Sequence, residues 1–383
     1  MDRVMLHDRQ VRKKQPRVVS LFSGCGGLDL GFKWKGFDLV YSSDILADAV
    51  RTYRHNVDER AQQADIRNID PHDLPECDVI VGGPPCQAFS LVGKRDPEDP
   101  RASLVEQYLD IIRVKHPKVF VMENVLGLRS AKDPSGRPVL QWLVDSFTAL
   151  GYSVNTFILN AADYGVPQRR RRIFVTGSTT GRPVAAPTAT HADPQDEPGS
   201  LFTARLPWVT SGNALSDLSE PSTDSDIGYY VSPCNCDFQR FARQTGLTEY
   251  TNHRMPYMSA KDLQIIAAVP PGGNYTNVPD DIATKRILHF KQTGGRTTTY
   301  GRLDPDRPSY TLNSYFSRPN VGCNIHYQQD RLITVREGLR LQSFPDSFAV
   351  LATSVRSEYI QVGNAVPPLL AASIAEEVLK VVG

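Results

Sequence analysis

Short apolar runs alternate with amphipathic stretches through the first half of the chain. The apolar runs end at glycine, proline or polar residues, as buried strands do, and the amphipathic stretches repeat apolar residues at helical spacing. The runs predict strands at 17–22, 37–41, 79–81, 118–122, 152–159 and 173–176, and the spacing predicts helices at 44–57, 104–114, 139–150 and 369–382. Strands that alternate with helices indicate an α/β fold built on an open sheet.

The pattern weakens after about residue 177. Pro, Gly, Ser, Thr and Asp dominate from 177 to 233. Such a composition predicts a boundary followed by a loop-rich second unit.

The composition, with 40% hydrophobic and 22% charged residues in a chain of 383, is that of an ordinary soluble globular protein. The net charge of +1 means that any nucleic-acid binding must come from local basic clusters. No apolar run approaches the ~20 residues of a membrane span, and no signal peptide is evident, so we expect a cytosolic protein. Cys234 and Cys236 form the one close cysteine pair, and we expect neither a disulfide framework nor a metal site.

The stretch Val79 to Ser90, Val-Ile-Val-Gly-Gly-Pro-Pro-Cys-Gln-Ala-Phe-Ser, places a cysteine directly after a buried strand. Gly82 to Pro85 end the strand abruptly, and the two prolines stiffen the backbone before Cys86. Open α/β sheets carry their chemistry at the carboxyl ends of the strands. Cys86 is therefore either a positioned nucleophile or, as is commoner for a lone cysteine, a buried apolar residue.

A glycine-rich turn follows the first predicted strand. Gly24, Gly26 and Gly27 let the backbone approach a ligand at a helix N-terminus. Asp44 follows the second strand at the spacing from Gly24 at which a carboxylate accepts hydrogen bonds from ribose hydroxyls. Together they predict an adenosine-containing cofactor. Because no phosphate-binding Gly-x-x-x-x-Gly-Lys is present, a nucleoside without a pyrophosphate fits better. The segment Ala64-Asp65-Ile66 is predicted to lie at the end of a further short strand, and Asp65 is either a ligand of the adenine amino group or a solvated loop acid.

Three further segments carry candidate chemistry. The polar segment 87–101 is either a mobile lid over a substrate or a plain surface loop. Glu123 ends a buried strand, where an unpaired carboxyl is costly, so it is a candidate acid with a raised pKa. The run Gln168-Arg-Arg-Arg-Arg172 enters a strand, so Gln168, Arg170 and Arg172 should share one side.

The loop-rich region contains a run suited to nucleic acid. Between Gly294 and Arg302, basic, hydroxyl and aromatic side chains interleave, as contacts to phosphates and base edges require. Arg296, the run from Thr297 to Thr299, and Arg302 are the candidates for these contacts.

Six segments, in their order along the chain, resemble the motifs of the DNA (cytosine-5) methyltransferases. They are Phe-Ser-Gly-Cys-Gly-Gly at 22–27, Gly-Pro-Pro-Cys-Gln at 83–87, Glu-Asn-Val at 123–125, Gln-x-Arg-x-Arg at 168–172, Arg-Glu-Gly-Leu-Arg-Leu-Gln-Ser-Phe-Pro at 336–345 and Gln-Val-Gly-Asn-Ala-Val-Pro-Pro at 361–368. The resemblance covers about 18–173 and 300–383. The residues from 177 to 299 correspond to the variable target-recognition region of that family.

The resemblance implies a fold of two domains. The larger is a Rossmann-like S-adenosylmethionine-dependent methyltransferase domain with a mixed seven-stranded sheet, formed by 17–195 and 346–383. The smaller is a loop-rich target-recognition domain with its hinge, at 196–345. In this family the last motif completes the large domain, so 361–383 should pack beside the Gly24 turn.

The resemblance also implies the cofactor S-adenosyl-L-methionine, with S-adenosyl-L-homocysteine as product. Asp44, where many members have Glu, would accept the ribose hydroxyls, and Asp65 with Ile66 would hold the adenine. The other implied cofactor-binding residues are Phe22, Gly24, Gly26, Gly27, Leu28, Ile45, Pro85, Leu104, Asn364 and Ala365.

The implied catalytic residues are Cys86, Glu123, Arg170 and Arg172. Cys86 would add as a thiolate to carbon 6 of cytosine, Glu123 would protonate ring nitrogen 3, and Arg172 would contact the 2-keto oxygen. Arg170 and Arg172 would favour the thiolate. The base would be flipped out of the duplex, with the 87–101 segment closing over it. The predicted DNA contacts are Gln87, Ser90, Arg95, Gln168, Arg296, Thr298 and Arg302.

The function expected from these features is sequence-specific methylation of cytosine in double-stranded DNA by a monomeric bacterial enzyme of the cytoplasm. A cognate restriction endonuclease could act on the same site without a stable complex. Three other interpretations remain open. The large recognition region disfavours a tRNA cytosine methyltransferase. The intact Cys86 and Glu123 disfavour a silent DNA-binding scaffold. An adenosine-nucleotide oxidoreductase is disfavoured because it would leave Cys86 and Glu123 unexplained.

Overall fold

The computed structural model of the protein describes residues 14–85, 102–133, 136–195, 205–244 and 246–383. Its strands are Arg17–Leu21 (β1), Asp38–Asp44 (β2), Gln62–Gln63 (β3), Val79–Gly82 (β4), Val119–Asn124 (β5), Ser153–Asn160 (β6), Gln168–Arg169 (β7), Arg171–Ser178 (β8), His191–Ala192 (β9), Leu206–Pro207 (β10), Gly228–Tyr229 (β11), Glu249–Tyr250 (β12), Gly301–Arg302 (β13), Ser309–Tyr310 (β14) and Cys323–Ile325 (β15). Its helices are Gly27–Trp34 (α1), Ala47–Asn56 (α2), Ala102–Lys115 (α3), Val139–Ala149 (α4), Ser211–Leu215 (α5), Asp237–Arg243 (α6), Ala260–Ala267 (α7), Lys285–Thr293 (α8), Val335–Leu341 (α9), Val355–Asn364 (α10) and Pro368–Val382 (α11). None of the helices in these ranges has both the length and the apolarity that crossing a membrane requires.

Seven strands form one mixed sheet in the order β3-β2-β1-β4-β5-β8-β6. Neighbouring strands from β3 to β5 are parallel, and β8 runs antiparallel to both β5 and β6. The residues from Val79 to Val81 and from Val119 to Met122 are fully buried. Continuous apolar runs of this kind are typical of central strands that are covered on both faces. The mixed seven-stranded sheet expected from the sequence is confirmed.

Helices cover both faces of the sheet. Val79 and Val81 belong to one apolar cluster together with residues of α1 and α11, whereas Ile80 belongs to a second cluster with residues of α3 and α4. This division follows from the alternation of side chains along a strand. A third cluster, which includes Ile265 and Ile287, lies within the loop-rich region.

The C-terminal helix packs directly on the first helix and its glycine turn. A Cβ atom at Gly31 would lie 2.5 Å from the Cβ of Ala371, and one at Gly27 would lie 2.2 Å from the carbonyl oxygen of Val366. Both distances are far below van der Waals contact, so both positions require glycine. The packing of 361–383 beside the Gly24 turn, expected from the sequence, is therefore observed.

Helix α9 carries charges that are buried. The Arg340 guanidinium lies 2.9 Å from a carboxylate oxygen of Asp217 and 2.6 Å from one of Asp346. Glu337 accepts two hydrogen bonds from Arg331, at 2.7 and 2.8 Å. Because isolated charges are very costly to bury, these pairs fix how α9 sits against the residues around it.

The division into two domains remains a prediction. Apolar residues from both predicted units, such as Phe238 and Leu370, belong to one cluster. The two units therefore share a core where they meet.

We expect Arg340→Met to lower the free energy of unfolding by about 3–5 kcal/mol, because it removes the ion pairs of Arg340 with the buried Asp217 and Asp346. Among the described residues, Asp217 then keeps only Arg243 as an ion-pair partner, and Asp346 keeps only Arg336 at 3.9 Å. Urea denaturation measures the change. Arg113→Met is the matched control, since Arg113 pairs with Asp110 on the exposed face of α3 and should leave the urea midpoint unchanged. A wild-type midpoint for Arg340→Met would contradict the prediction.

Candidate active site

The carboxyl ends of strands β1 to β5 meet at one edge of the sheet, because these strands are parallel neighbours. The segments that leave this edge are 22–27 after β1, 45–46 after β2, 64–66 after β3 and 83–85 after β4. Asp44 ends β2, and Glu123 is the penultimate residue of β5. The sheet therefore brings together most of the segments that the sequence marked for chemistry.

A cavity of about 300 Å³ opens at this edge. The residues that line it are Phe22, Ser43, Asp44, Ile45, Ala64, Asp65, Ile66, Arg67, Pro85 and Leu104. Its size lies at the lower limit for small-molecule sites. Most of these residues were predicted from the sequence, but Ser43, Ala64 and Arg67 were missed, although each is a chain neighbour of a predicted acid or of Ile66.

The glycine turn shapes the site but does not line the cavity. Gly24 and Gly26 have φ values of +55° and +95°, and the N–H of Gly24 donates to Asp44 at 2.9 Å. A Cβ at Gly26 would lie 2.7 Å from a methyl group of Val57, and Leu28 is buried. The predicted roles of Gly24, Gly26, Gly27 and Leu28 as direct cofactor contacts remain predictions.

Asn364 and Ala365 end helix α10. Asn364 is exposed and Ala365 is buried, and neither lines the cavity. Their predicted contacts with the cofactor stay predictions.

Asp44 is held in place by backbone amides. Its carboxylate accepts hydrogen bonds from the N–H of Gly24 at 2.9 Å and of Leu46 at 2.8 Å. Burial raises the pKa of Asp44, and these hydrogen bonds oppose that rise. A carboxylate has about four acceptor positions, so this one can still accept hydrogen bonds from the hydroxyls of a ligand.

Asp65 is paired with Arg67. Its carboxylate accepts from the backbone N–H and from the Nε of Arg67, both at 3.0 Å, and this pairing lowers the pKa of Asp65. The neighbouring Ile66 is buried. The cavity wall thus presents an ionised carboxylate beside an apolar side chain, a combination that suits an adenine ring.

Glu123 and Arg172 form an ion pair between β5 and β8, with 2.9 Å between Oε1 of Glu123 and Nε of Arg172. Their side chains are only 13% and 12% exposed. Burial raises the pKa of Glu123, and the charges of Arg172 and Arg170 oppose the rise. The carboxyl group is therefore more easily protonated than a free glutamate, which is the direction expected from the sequence.

The segment that leads to Cys86 lies against Glu123. A Cβ at Gly83 would lie 3.2 Å from Oε2 of Glu123, and the side-chain amide of Asn124 donates to the carbonyl oxygen of Pro84 at 2.9 Å. Pro85 lines the cavity. Cys86 follows Pro85 in the chain but lies outside the described residues, as do the predicted DNA contacts Gln87, Ser90 and Arg95.

Gln168 is fully buried. Its amide donates to the carbonyl oxygen of Leu341 at 3.4 Å and accepts from the N–H of Leu312 at 3.3 Å. The prediction that Gln168 contacts DNA is wrong for this arrangement, because its polar atoms are used inside the protein. The predicted alternation holds, since Gln168, Arg170 and Arg172 turn inward while Arg171 is exposed.

Arg170 is also buried. Its guanidinium donates to the carbonyl oxygens of Leu312 at 2.8 Å and of Gly363 at 2.9 Å. It joins three segments that are distant in the sequence, and its charge acts on Glu123. A direct catalytic role for Arg170 stays a prediction.

Arg302 does not support its predicted DNA contact. Its five N–H groups donate, at 2.5 to 3.0 Å, to one carboxylate and four backbone carbonyl oxygens, those of Asp330, Ile266, Val269, His326 and Gln329. A buried arginine with every donor used is a structural residue. Arg296 is exposed and Thr298 half-buried, and their DNA contacts remain predictions.

Comparisons with known proteins agree with the fold. Residues 16–380 match the family model of C-5 cytosine-specific DNA methylases. The chain is 32% identical to the Type II methyltransferase M.NgoFVII of Neisseria gonorrhoeae over 372 residues, which cover 96% of this chain and 87% of the relative. It is 34% identical to the Type II methyltransferase M.DdeI of Desulfomicrobium norvegicum over 380 residues, which cover 94% of this chain and 88% of the relative.

Solved structures resemble the fold as well. A prophage-encoded protein described as a DNA modification methyltransferase (E. coli) superposes with a TM-score of 0.71 at 23% identity, covering 96% of this chain and 99% of the other. The S. pombe Dnmt2 methyltransferase superposes with a TM-score of 0.56 at 19% identity, covering 95% and 98%. The oxidoreductase interpretation is thereby excluded, because the family match spans nearly the whole chain. The chain belongs to the C-5 cytosine-specific DNA methylases and is a DNA (cytosine-5) methyltransferase.

Proposed function

We propose that the protein transfers a methyl group from S-adenosylmethionine to carbon 5 of a flipped-out cytosine, at a specific sequence in duplex DNA, through a covalent adduct with Cys86. One observation carries the proposal. The segment that leads to Cys86 packs against the buried pair of Glu123 and Arg172, beside a cavity at the carboxyl edge of the sheet. A nucleophile, an acid and a cofactor site would then share one edge.

The cavity fits the adenosine part of S-adenosylmethionine. Asp44, oriented by two backbone amides, would accept the ribose hydroxyls, while Asp65 and Ile66 would hold the adenine. Phe22 and Leu104 add apolar walls. Bound there, the cofactor would supply an electrophilic methyl group on a sulfonium.

The substrate explains why a thiol is needed. Carbon 5 of cytosine is a poor nucleophile, and addition of the Cys86 thiolate to carbon 6 forms a sulfur–carbon bond that pushes electron density onto carbon 5. After methylation, loss of the proton from carbon 5 restores the ring double bond, and the sulfur leaves as a thiolate. A free cysteine has a pKa of ~8.5, so positive charge nearby favours the reactive form.

Glu123 would protonate ring nitrogen 3 as the thiolate adds. Burial raises the pKa of Glu123, so its carboxyl group is more easily protonated than that of a free glutamate. Arg172 fixes the position of Glu123 through the ion pair, and its guanidinium has further N–H donors for the 2-keto oxygen.

The reaction requires an unstacked base. The two faces of carbon 5 and carbon 6 are covered in a stacked duplex, so the target cytosine must leave the helix at a cost of about a few kcal/mol. Closure of the 87–101 segment, with Gln87 or a neighbouring residue filling the gap, would offset this cost. We also infer from the Type II methyltransferase relatives that the enzyme acts in restriction-modification. That the enzyme is a monomer, and that a cognate endonuclease acts on the same site without a stable complex, are part of the proposal.

When the protein is expressed in a host without cytosine methylation, the cytosines of one short motif should become resistant to bisulfite conversion. Bisulfite sequencing of the DNA measures this protection. Cys86→Ala should abolish the protection, because the addition to carbon 6 is lost. Cys77→Ala is the matched control, since burial raises the pKa of Cys77 to about 12 and thereby disfavours the nucleophilic thiolate. Protection that survives Cys86→Ala would refute the covalent mechanism, as would a 5-fluorocytosine duplex that forms no adduct with the wild type.

Glu123→Gln should slow methyl transfer by about 10²- to 10⁴-fold, because the amide cannot deliver a proton. The protonated fraction of Glu123 falls as the pH rises through its raised pKa, whereas thiolate formation at Cys86 increases with pH in both proteins. The ratio of wild-type to variant single-turnover rates should therefore decrease with increasing pH. A ratio that is independent of pH would exclude proton transfer from Glu123.

Asp44→Asn should weaken S-adenosylmethionine binding by about tenfold or more, because hydrogen bonds to a charged acceptor are lost. Isothermal titration calorimetry measures the affinity. Asp58→Asn is the control, since Asp58 is ion-paired with Arg60 and does not line the cavity. Equal affinities for Asp44→Asn and the wild type would remove Asp44 from the site.

A further inference from the structure

Arg169 stacks on an exposed tyrosine instead of pairing with an acid. Its Cζ lies 4.3 Å from the ring centroid of Tyr310, its register partner in the pairing of β7 with β14. Among the described residues, no carboxylate lies within ion-pair distance of Arg169, and its buried Nε has no hydrogen-bond acceptor. Tyr310 is 43% exposed. The guanidinium is thus oriented by the ring, with its charge uncompensated in the described part of the chain.

A second pair of the same kind lies a few residues further along the chain. The Cζ of Arg318 lies 5.4 Å from the ring centroid of Tyr315. Both side chains are exposed, and Arg318 makes no ion pair with any described residue. Two tyrosine-stacked guanidinium groups without acidic partners among the described residues are therefore carried by the 309–318 segment and the strand β7 that pairs with it. The surface at this segment comprises Arg169, Tyr310, Tyr315 and Arg318.

This surface is rigidly supported. The hydroxyl of Thr311 donates to the carbonyl oxygen of Arg169 at 2.8 Å. Phe316 is fully buried, with its ring centroid 4.4 Å from that of Tyr359. A Cβ at Gly363 would lie 2.5 Å from the backbone of Asn313, so α10 and the 309–318 segment are in direct contact. The tyrosines are therefore presented by a fixed backbone.

The Arg169 end of the surface lies close to the proposed reaction centre. Arg169 precedes Arg172 by three residues, a span of at most about 11 Å of extended chain. Arg172 contacts Glu123, and Arg170 joins the 309–318 segment to Gly363. Arg169, with its strand partner Tyr310, is therefore the part of this surface nearest in the chain to the position that the proposed function gives to the target cytosine.

We propose that Arg169 and Arg318 bind phosphates of the DNA strand that carries the target cytosine, and that Tyr310 and Tyr315 act as positioning residues for the two guanidinium groups. A guanidinium that stacks on a ring keeps its edge N–H groups free, and those groups match the oxygens of a phosphate. Stacking also restricts the side chain before DNA binds, which reduces the entropy lost on binding. The assignment to the target strand rests on the proposed function, whereas phosphate binding does not.

The test measures binding of the full-length protein to a short fluorescent duplex by anisotropy over a series of NaCl concentrations. Arg169→Ala and Arg318→Ala should each weaken binding by roughly tenfold, and each should reduce the slope of log K against log salt by about one. Tyr310→Phe and Tyr315→Phe should bind DNA like the wild type. Tyr310→Ala and Tyr315→Ala should bind DNA more weakly than the wild type, with a smaller change in salt slope than the arginine variants show. Arg113→Ala is the charge control, since Arg113 lies near the end of α3 and pairs with Asp110.

Unchanged salt slopes in both arginine variants would overturn the proposal. A loss of DNA affinity accompanied by a lower melting temperature or weaker S-adenosylmethionine binding would overturn it too, since that pattern indicates a structural role. The measurement requires no methyl transfer. If the arginine variants altered the salt slopes but the wild type formed no adduct with 5-fluorocytosine DNA, the phosphate contacts would be supported. Only the covalent mechanism of the proposed function would then be rejected.

Discussion

The contact between Glu123 and Arg172 is the interaction around which the active-site edge is organised. A carboxyl group that is almost excluded from water resists ionisation, whereas a guanidinium 2.9 Å away stabilises the charged form. The two effects oppose each other, and burial prevails, since the pKa of Glu123 is raised. The carboxyl group is thereby more easily protonated than that of a free glutamate, which is the property that the proposed proton transfer to ring nitrogen 3 requires. The antiparallel strand β8 makes this possible, because it carries Arg172 alongside β5 in the interior of the sheet.

Arg170 extends this organisation beyond the sheet. It is buried, and burial lowers its pKa well below the usual range, yet its two hydrogen bonds to Leu312 and Gly363 satisfy donors that would otherwise be costly. One side chain thus connects the strand that carries Arg172, the 309–318 segment and the end of α10. The C-terminal helix in turn excludes a side chain at Gly31, and Val366, just before that helix, excludes one at Gly27. The cofactor turn, the acid and the stacked arginines are consequently parts of one packed unit.

The sequence predicted those features that depend on local pattern. Buried strands such as β4 and β5 read as apolar runs, and the strand ends at Asp44 and Glu123 follow from where the runs stop. The failures concern polar residues whose partners are remote. Arg302 was assigned to DNA because basic and hydroxyl residues surround it, but its carbonyl partners lie 24 to 36 residues away.

Helix α9 illustrates the same limit. The motif at 336–345 alternates charged and apolar residues, as an exposed helix would, yet Arg340 is completely buried with Asp217, 123 residues away. No local pattern distinguishes a charge that faces solvent from one that is paired inside the protein. The resemblance to a family placed the motif in order along the chain, but only the packing explains why the charges are there.

The two halves of the proposed site differ in their physical character. The cofactor side is built from backbone amides, glycines with positive φ and apolar walls, and the charges of Asp44 and Asp65 are held by neighbours within the protein. The proposed DNA side carries the guanidinium groups of Arg169 and Arg318, which have no acidic partner among the described residues. Interactions with phosphates release counterions and weaken with salt, whereas short hydrogen bonds inside a cavity are screened much less. In a protein with a net charge of only +1, the proposed phosphate contacts would therefore make DNA binding a property of one local surface, and binding at the cavity would depend less on ionic strength.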